Sequence, residues 1–556
     1  MTNQAETRKI DRKHVRDLAL RLTSWPSETG TPGEASFADH LRELLMEIPY
    51  FRDHPDNIRL VASHGEPLTH SVVALVRGTG KRTVALAGHF DTVSTDNYHE
   101  LQGLACDAAA LRDALIETIS ARTDRSAQEE RTLEDLLSGD FLPGRGLLDM
   151  KSGIAVAIAC LEQFAADPNR EGNLLMVATP DEERESRGMR SLRDALPSLV
   201  KDFDIDISAG INLDVTSDQG DGSEGRAVYA GTIGKLLPFA LVVGCSSHAS
   251  YPFEGVSAQA MGSAILSRLE GNASLADRDD TDISPAPICL EAKDLRDGYE
   301  VTTPERFWIA FNWLYHAMSA DDLFARFKEE VVSGAEEAVE KFSEQSVKFG
   351  KLVGRSAGAT PAKPHILSFS ELRSIAANVA GSEFERIYAE KEKALSTIDN
   401  PLVVTRQLTE WLVGIARVSG PAVVIGFAGL HYPSSRLKLD AVRDRGLHDA
   451  IEQARADLMN DPTKSIRWKP HFQGISDMSF LGLSASGSKI VSDNTPISRL
   501  IDNPPNDALE FPTVNLGPWG REFHQKFERV HEPYAFSVLP DLVFDIATTL
   551  LTRAHD

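Results

Sequence analysis

The chain has 556 residues, 42% apolar and 25% charged, the balance of a soluble globular protein with more than one structural unit. Acidic side chains number 82 against 58 basic ones, a net charge of −24 with no basic tract, so nucleic acid is a poor partner. No apolar stretch approaches the ~18 residues of a membrane span, the polar N-terminus lacks a signal core, and Cys106, Cys160, Cys245 and Cys289 fit no CxxC pattern, so a cytoplasmic protein with no membrane partner is expected.

Residues 11–48 carry helical periodicity, broken by the loop Ser27-Glu-Thr-Gly-Thr-Pro-Gly33. Residues 71–76 and 83–87 read as strands, and the second runs into Gly88-His89-Phe90-Asp91-Thr92. A polar helical addition follows over 97–140 and carries no evident chemistry. Next come Gly144-Arg-Gly-Leu-Leu-Asp149-Met-Lys151 and a helix over 154–164. The strand 174–178 ends at Pro180-Asp181-Glu182-Glu183, and another ends at Asn212-Leu213-Asp214. Such alternation predicts an α/β fold with a mixed, mostly parallel sheet covered by helices, whose ligands gather beyond the carboxyl ends of the strands.

From Tyr229 the rhythm changes. Strand-like runs at 236–243, 288–292, 307–311 and 347–353 enclose helices at 255–269 and 320–342. That β-α-β-β-α-β order predicts a smaller α/β sandwich inserted over 229–355, returning through the Gly/Pro-rich linker that starts at Gly354. The catalytic domain would comprise 1–228 and 356–556. Its second part would bring a strand at 421–427, a polar addition at 431–469 and a closing helix at 539–551.

The acidic and imidazole side chains cluster at the strand ends. Positions i and i+2 of a strand face one way, so Asp91 can accept the ring proton of His89 from behind. Asp149 can bridge two cations roughly 3.5–4 Å apart, or cap the helix that follows. Of Glu182 and Glu183, one can bind metal while the other moves a proton. Asp214 ends its strand in the same manner. His524 and Glu528 are spaced to share a helical face, with His531 as the competing imidazole. His248 lies in Ser246-Ser-His-Ala-Ser-Tyr-Pro252 of the inserted domain, where a turn histidine of no consequence is the plainer reading.

In order along the chain, Ala87-Gly-His-Phe-Asp-Thr-Val93, Gly144–Gly153, Pro180–Glu183, Gly231-Thr-Ile-Gly-Lys235, His248–Pro252, Gly474-Ile-Ser-Asp477 and His524-x-x-x-Glu528 resemble the di-zinc amidohydrolases and exopeptidases. That family includes carboxypeptidase G, aminoacylase, acetylornithine deacetylase and the tripeptidase T group. The residues 97–140, Phe311-Asn-Trp-Leu-Tyr315 and Pro518–His524 are most similar to its arginine-utilisation (RocB-like) branch.

The resemblance implies a zinc exopeptidase-like catalytic domain plus a dimerisation-type lid. It implies two divalent cations, zinc favoured and cobalt or manganese tolerated, held by His89, Asp149, Glu183, Asp214 and His524, with Asp149 shared. Glu182 would be general base and acid, Asp91 would stand behind the ligands, and His248 would stabilise the oxyanion, with a homodimer formed through the lid. Hydroxide between the cations would attack a C–N amide bond in a small peptide-like or N-acyl amino acid substrate. The alternative is a metal-holding ligand sensor without turnover. Relatives carry an Asp-x-Arg on the lid strand where this chain has Asn312-Trp313-Leu314, leaving Arg296 or Arg306 as substitutes.

Overall fold

A computed structural model describes residues 9–217, 225–354, 361–456, 458–461, 465–483 and 488–552. The first eight residues and most of the expected linker after Gly354 lie outside these. The chain divides into two compact units: Met1–Thr232 with Ser435–Ser484 and Pro504–Asp556, and Ile233–Ser434 with Ala485–Asn503.

The first unit is built on an eight-stranded sheet in the order Ile58–Ala62, His70–Arg77, Glu171–Thr179, Thr79–His89, Asp206–Asn212, Thr513–Asn515, Ala227–Tyr229 and Arg467–Lys469. Its three central long strands are parallel, antiparallel pairs flank them on the side of Glu171–Thr179, and Thr513–Asn515 extends the parallel run on the other. Val72 to Val76, Val84 to Ala87 and Leu174 to Ala178 are buried without alternation, because helices cover both faces. The helix Ser152–Ala166 is apolar all round for the same reason, with every residue from Ser152 to Leu161 buried. A buried side chain such as Leu161 contributes about 1.5–3 kcal/mol.

The C-terminal run Tyr534–Thr552 has 19 residues and the hydropathy of a membrane span, against the expectation that no stretch approaches that length. It is 61% buried against the core, where Leu539, Val543, Ile546 and Ala547 pack.

The second unit carries a sheet in the order Ile288–Asp294, Arg306–Tyr315, Pro238–Val243, Ala422–Phe427 and His365–Ser368. Strand alternation splits its core. Ala240 and Val242 face the helices Ala258–Leu269 and Ala320–Leu352, while Phe239, Leu241 and Val243 face Phe369–Ala380 and Pro401–Ile415. Three expectations are corrected here. The strand Ala422–Phe427 pairs with Pro238–Val243 in this sheet, not in the first unit. It is an apolar run buried on both faces, and such a run names no partner. Residues 347–352 continue the helix Ala320–Leu352, whose capping box Ser319–Asp322 starts 33 residues that no proline interrupts. The unit is also larger than 229–355 and has helices on both faces of its sheet.

Candidate metal centre

Three neighbouring parallel strands end side by side. His89 pairs with Thr179 on one flank, and Ala87 pairs with Asn212 on the other. Adjacent strands lie ~4.8 Å apart, so the residues that follow Thr179 and Asn212 converge on His89. Asp149 arrives from the turn Leu147–Lys151 ahead of the helix Ser152–Ala166. Gly146, at φ +75°, sets up that turn, and a Cβ there would lie 2.5 Å from Thr92. His524 comes from the turn between the strands Gly520–Arg521 and Arg529–His531, not from a helix.

Asp149 lies between the two imidazoles. Its Oδ1 is 3.1 Å from His89 Nε2, and its Oδ2 is 3.0 Å from His524 Nε2. Neither oxygen caps the following helix, whose N-cap position is Lys151. Asp214 Oδ1 lies 3.5 Å from His89 Nε2, and Glu183 Oε1 lies 3.0 Å from His524 Nε2. Glu182 Oε2 stands 3.9 Å from His89 Nε2, beyond hydrogen-bond reach. His89, Asp149 and Glu183 offer ligand atoms within 4.8 Å of one another. The structure therefore gathers His89, Asp149, Glu182, Glu183, Asp214 and His524 around one point.

Asp91 does more than stand behind His89. Its two oxygens accept the backbone N–H of Glu182 (3.0 Å) and of Glu183 (3.2 Å), and Thr29 Oγ1 donates to one of them (2.8 Å). For the His89 ring, the nearer acceptor is the Asp91 carbonyl, at 3.0 Å from Nδ1, against 3.5 Å for the carboxylate. The backbone turns after the strand, which brings the main-chain oxygen under the ring. Asp181 points away and receives Arg187 (3.0 Å). His531 is packed between the rings of Phe141 and Trp519 and takes no part.

The electrostatics are those of crowded acid. Burial raises Glu182 well above the usual carboxylate range, with His89 opposing and Glu183 and Asp214 adding to it. Burial also raises Asp214, and pushes Glu183 up to about 7. Asp149 is held low in spite of burial, by His524 and His89. Burial opposes charging the imidazoles, but the carboxylates win: His524 is raised to about 11 and His89 well above its ordinary value. Two imidazoles, three carboxylates and an excess of negative charge suit two hard or borderline divalent cations, which would replace the protons that the cluster otherwise gathers.

Supporting residues surround these groups, among them Glu528, expected on a helical face shared with His524 and found in the same turn instead. Glu528 pairs with buried Arg145 and accepts from the N–H of Gly146 (3.1 Å) and of His524 (3.3 Å), tying the two turns together. Asp477 is buried, receives Thr179 Oγ1 (2.7 Å), and is pushed by burial up to about 7. Glu34, also buried, is pushed up to about 8 and accepts from Gly30 N–H (2.6 Å). Asp477 stood in the motif Gly474-Ile-Ser-Asp477 and Glu34 directly after the loop ending at Gly33, which was their only signal.

His248 lies exposed in the second unit, its Nδ1 accepting from Ser250 N–H (3.1 Å). Arg296 is held there by Asp294 (2.7 Å) and the Thr302 carbonyl (3.0 Å), and Arg306 by Glu305 (3.1 Å).

Residues 85–493 match the family described as Peptidase family M20/M25/M40. The chain belongs to that family. YqjN of Bacillus subtilis (strain 168) is 31% identical over 551 residues, covering 97% of this chain and 96% of YqjN. RocB of the same strain is 28% identical over 556 residues, with 97% and 95% covered. A tripeptidase of Staphylococcus aureus subsp. aureus Mu50 shares the fold at a TM-score of 0.52 and 14% identity, over 98% of this chain and 100% of that one. As a member of the M20/M25/M40 family the chain has a peptidase-type α/β catalytic unit, and the cluster around Asp149 is its candidate metal centre.

Proposed function

We propose that this protein is a dinuclear metal-dependent hydrolase of a C–N amide bond in a small peptide-like or N-acyl amino acid substrate. The observation that carries the reading is Asp149, each of whose oxygens meets a different imidazole, with the Glu182 carboxylate standing 3.9 Å from His89 Nε2. One cation would sit among His89, Asp214 and Asp149, the other among His524, Glu183 and Asp149; zinc is favoured, and cobalt or manganese suit the same ligands. Bound cations supply a polarised substrate carbonyl and a nucleophile near neutral pH. Glu182 takes the proton of the attacking water and hands it to the leaving nitrogen. Asp91 fixes the Glu182-Glu183 backbone while this happens. His248 is the group we assign to the oxyanion. A cytoplasmic homodimer joined through the second unit completes the proposal. Likeness to RocB makes arginine derivatives the first substrates to try.

The test is a screen of metal-loaded protein against dipeptides and N-acyl or N-carbamoyl amino acids. Turnover is expected, and Glu182→Ala should keep both cations while losing roughly 10²–10⁴ in rate. A variant that turns over at the original rate refutes the proton role. Bound ligand without turnover in the parent protein would favour a sensor.

A further inference from the structure

The polar addition between the first two ligand segments contains no ligand, yet it grips the turn that carries His524. It consists of the short helix Asp96–Leu104 and the helices Ala108–Ser120 and Ala127–Ser138. A small core of its own, around Leu111, Leu115 and Leu136, is separate from the core under the sheet, and Phe527 of the ligand turn packs against it.

Polar contacts run from this platform to the turn and its flanks. Asn97 Nδ2 donates to the His524 carbonyl (3.0 Å), and its Oδ1 accepts from Arg145 Nη2 (3.0 Å). Arg145 lies over the ring of Tyr98 at 5.2 Å and pairs with Glu528, which receives the His524 N–H (3.3 Å). Beyond the turn, wholly buried Arg529 meets Asp135 of the platform (2.8 Å from Nε) and Glu522 (3.0 Å), while Arg131 also reaches Glu522 (3.2 Å). His524 itself stands at φ +65°, a region that is unfavourable for a residue with a Cβ and persists only where the surroundings over-determine it.

We infer that residues 96–138 position the His524 half of the centre and thereby set the affinity of the second cation. The inference rests on the dinuclear reading above. Both main-chain polar groups of His524 are tied, the carbonyl to Asn97 (3.0 Å) and more distantly to Arg145 Nη2 (3.4 Å), the N–H to Glu528, and the imidazole follows the backbone to Asp149 and Glu183. Freed of Asn97, the turn can relax toward negative φ and carry the ring off its partners. Among the described residues no hydrogen bond joins this platform to His89, whose imidazole is seated on the sheet against the Asp91 carbonyl. Asn97 and Arg131 are therefore positioning residues for the second cation alone.

The experiment is a calorimetric titration of metal-free protein with Co²⁺, with the cobalt absorption spectrum recorded at each step. In the parent protein two binding events are expected. Asn97→Ala should weaken the second by roughly 10–100-fold and leave the first unchanged. Arg131→Ala, which acts on the same turn from the other side, should shift the same event in the same direction. Glu100→Ala is the control: its carboxylate is exposed and lies 3.5 Å from Lys526, a surface pair of little weight, so neither event should move. Wild-type affinity at both events in Asn97→Ala and Arg131→Ala overturns the inference, as does equal weakening of both events or an equal loss in Glu100→Ala. A parent protein that takes up fewer than two cations overturns the dinuclear reading, and this inference with it.

Discussion

The two imidazoles reach Asp149 from unlike scaffolds. His89 closes a central strand of eleven residues, and its side chain is 2% exposed. Its ring is fixed from behind by the Asp91 carbonyl. His524 belongs to a turn between strands of two and three residues, and its side chain is 41% exposed. One half of the centre is thus as rigid as the sheet that carries it, because moving His89 means breaking the sheet. The other half is only as rigid as its braces. A shared aspartate couples a part that comes with folding to a part that can be adjusted without unfolding.

Asp149→Ala gives the hardest test of that coupling. Both halves should fail together, with no stoichiometric cation left by elemental analysis and a rate loss beyond the roughly 10²–10⁴ expected for Glu182→Ala. Retention of one tight cation would mean that the halves are independent. A smaller effect comes from protons. The carboxylates around His524 raise it to about 11, and those around His89 raise it well above its usual value, so at neutral pH both rings hold protons in the metal-free protein. A cation must expel them, so uptake strengthens as pH rises, by up to about tenfold per pH unit for each proton displaced. Titrations in buffers of different ionisation enthalpy count those protons. The exposed His524 half should show the dependence on its own once His89→Ala removes the other ring.

The smallest effect concerns the acids under the sheet half. Burial pushes Asp477 up to about 7 and Glu34 up to about 8. Between about pH 4.5 and 7 the folded chain therefore holds protons that the unfolded chain has released. Stability then falls as pH rises through that window, by up to about 1.4 kcal/mol per unit for each such group. Urea midpoints of metal-free protein across this range should show the slope, and Asp477→Asn should flatten it.

Part of the centre was legible because His89 ends an apolar strand and Glu183 and Asp214 follow two others: a histidine or carboxylate at a strand's carboxyl end has few structural uses. The choice between a capping and a bridging Asp149 was not legible, since both place an acid before a helix. Nor was the brace. Arg145–Glu528 joins positions 383 apart, and no local pattern announces an ion pair across that distance. In the second unit, residues 347–353 alternate well enough to suggest a strand, but a helix already 27 residues long extends more readily than a strand nucleates. The strand Ala422–Phe427 shows the limit of periodicity: an apolar run tells that it is buried, not against what.

Asp91 joins Glu182 and Glu183 through their amides. The proposed proton carrier and the proposed ligand beside it are thus mounted on a single yoke. Any substitution that shifts the reach of one drags the other with it, so this dipeptide tolerates little tinkering. Divergence toward new substrates, natural or engineered, should leave the yoke alone and accumulate where side chains can change one at a time.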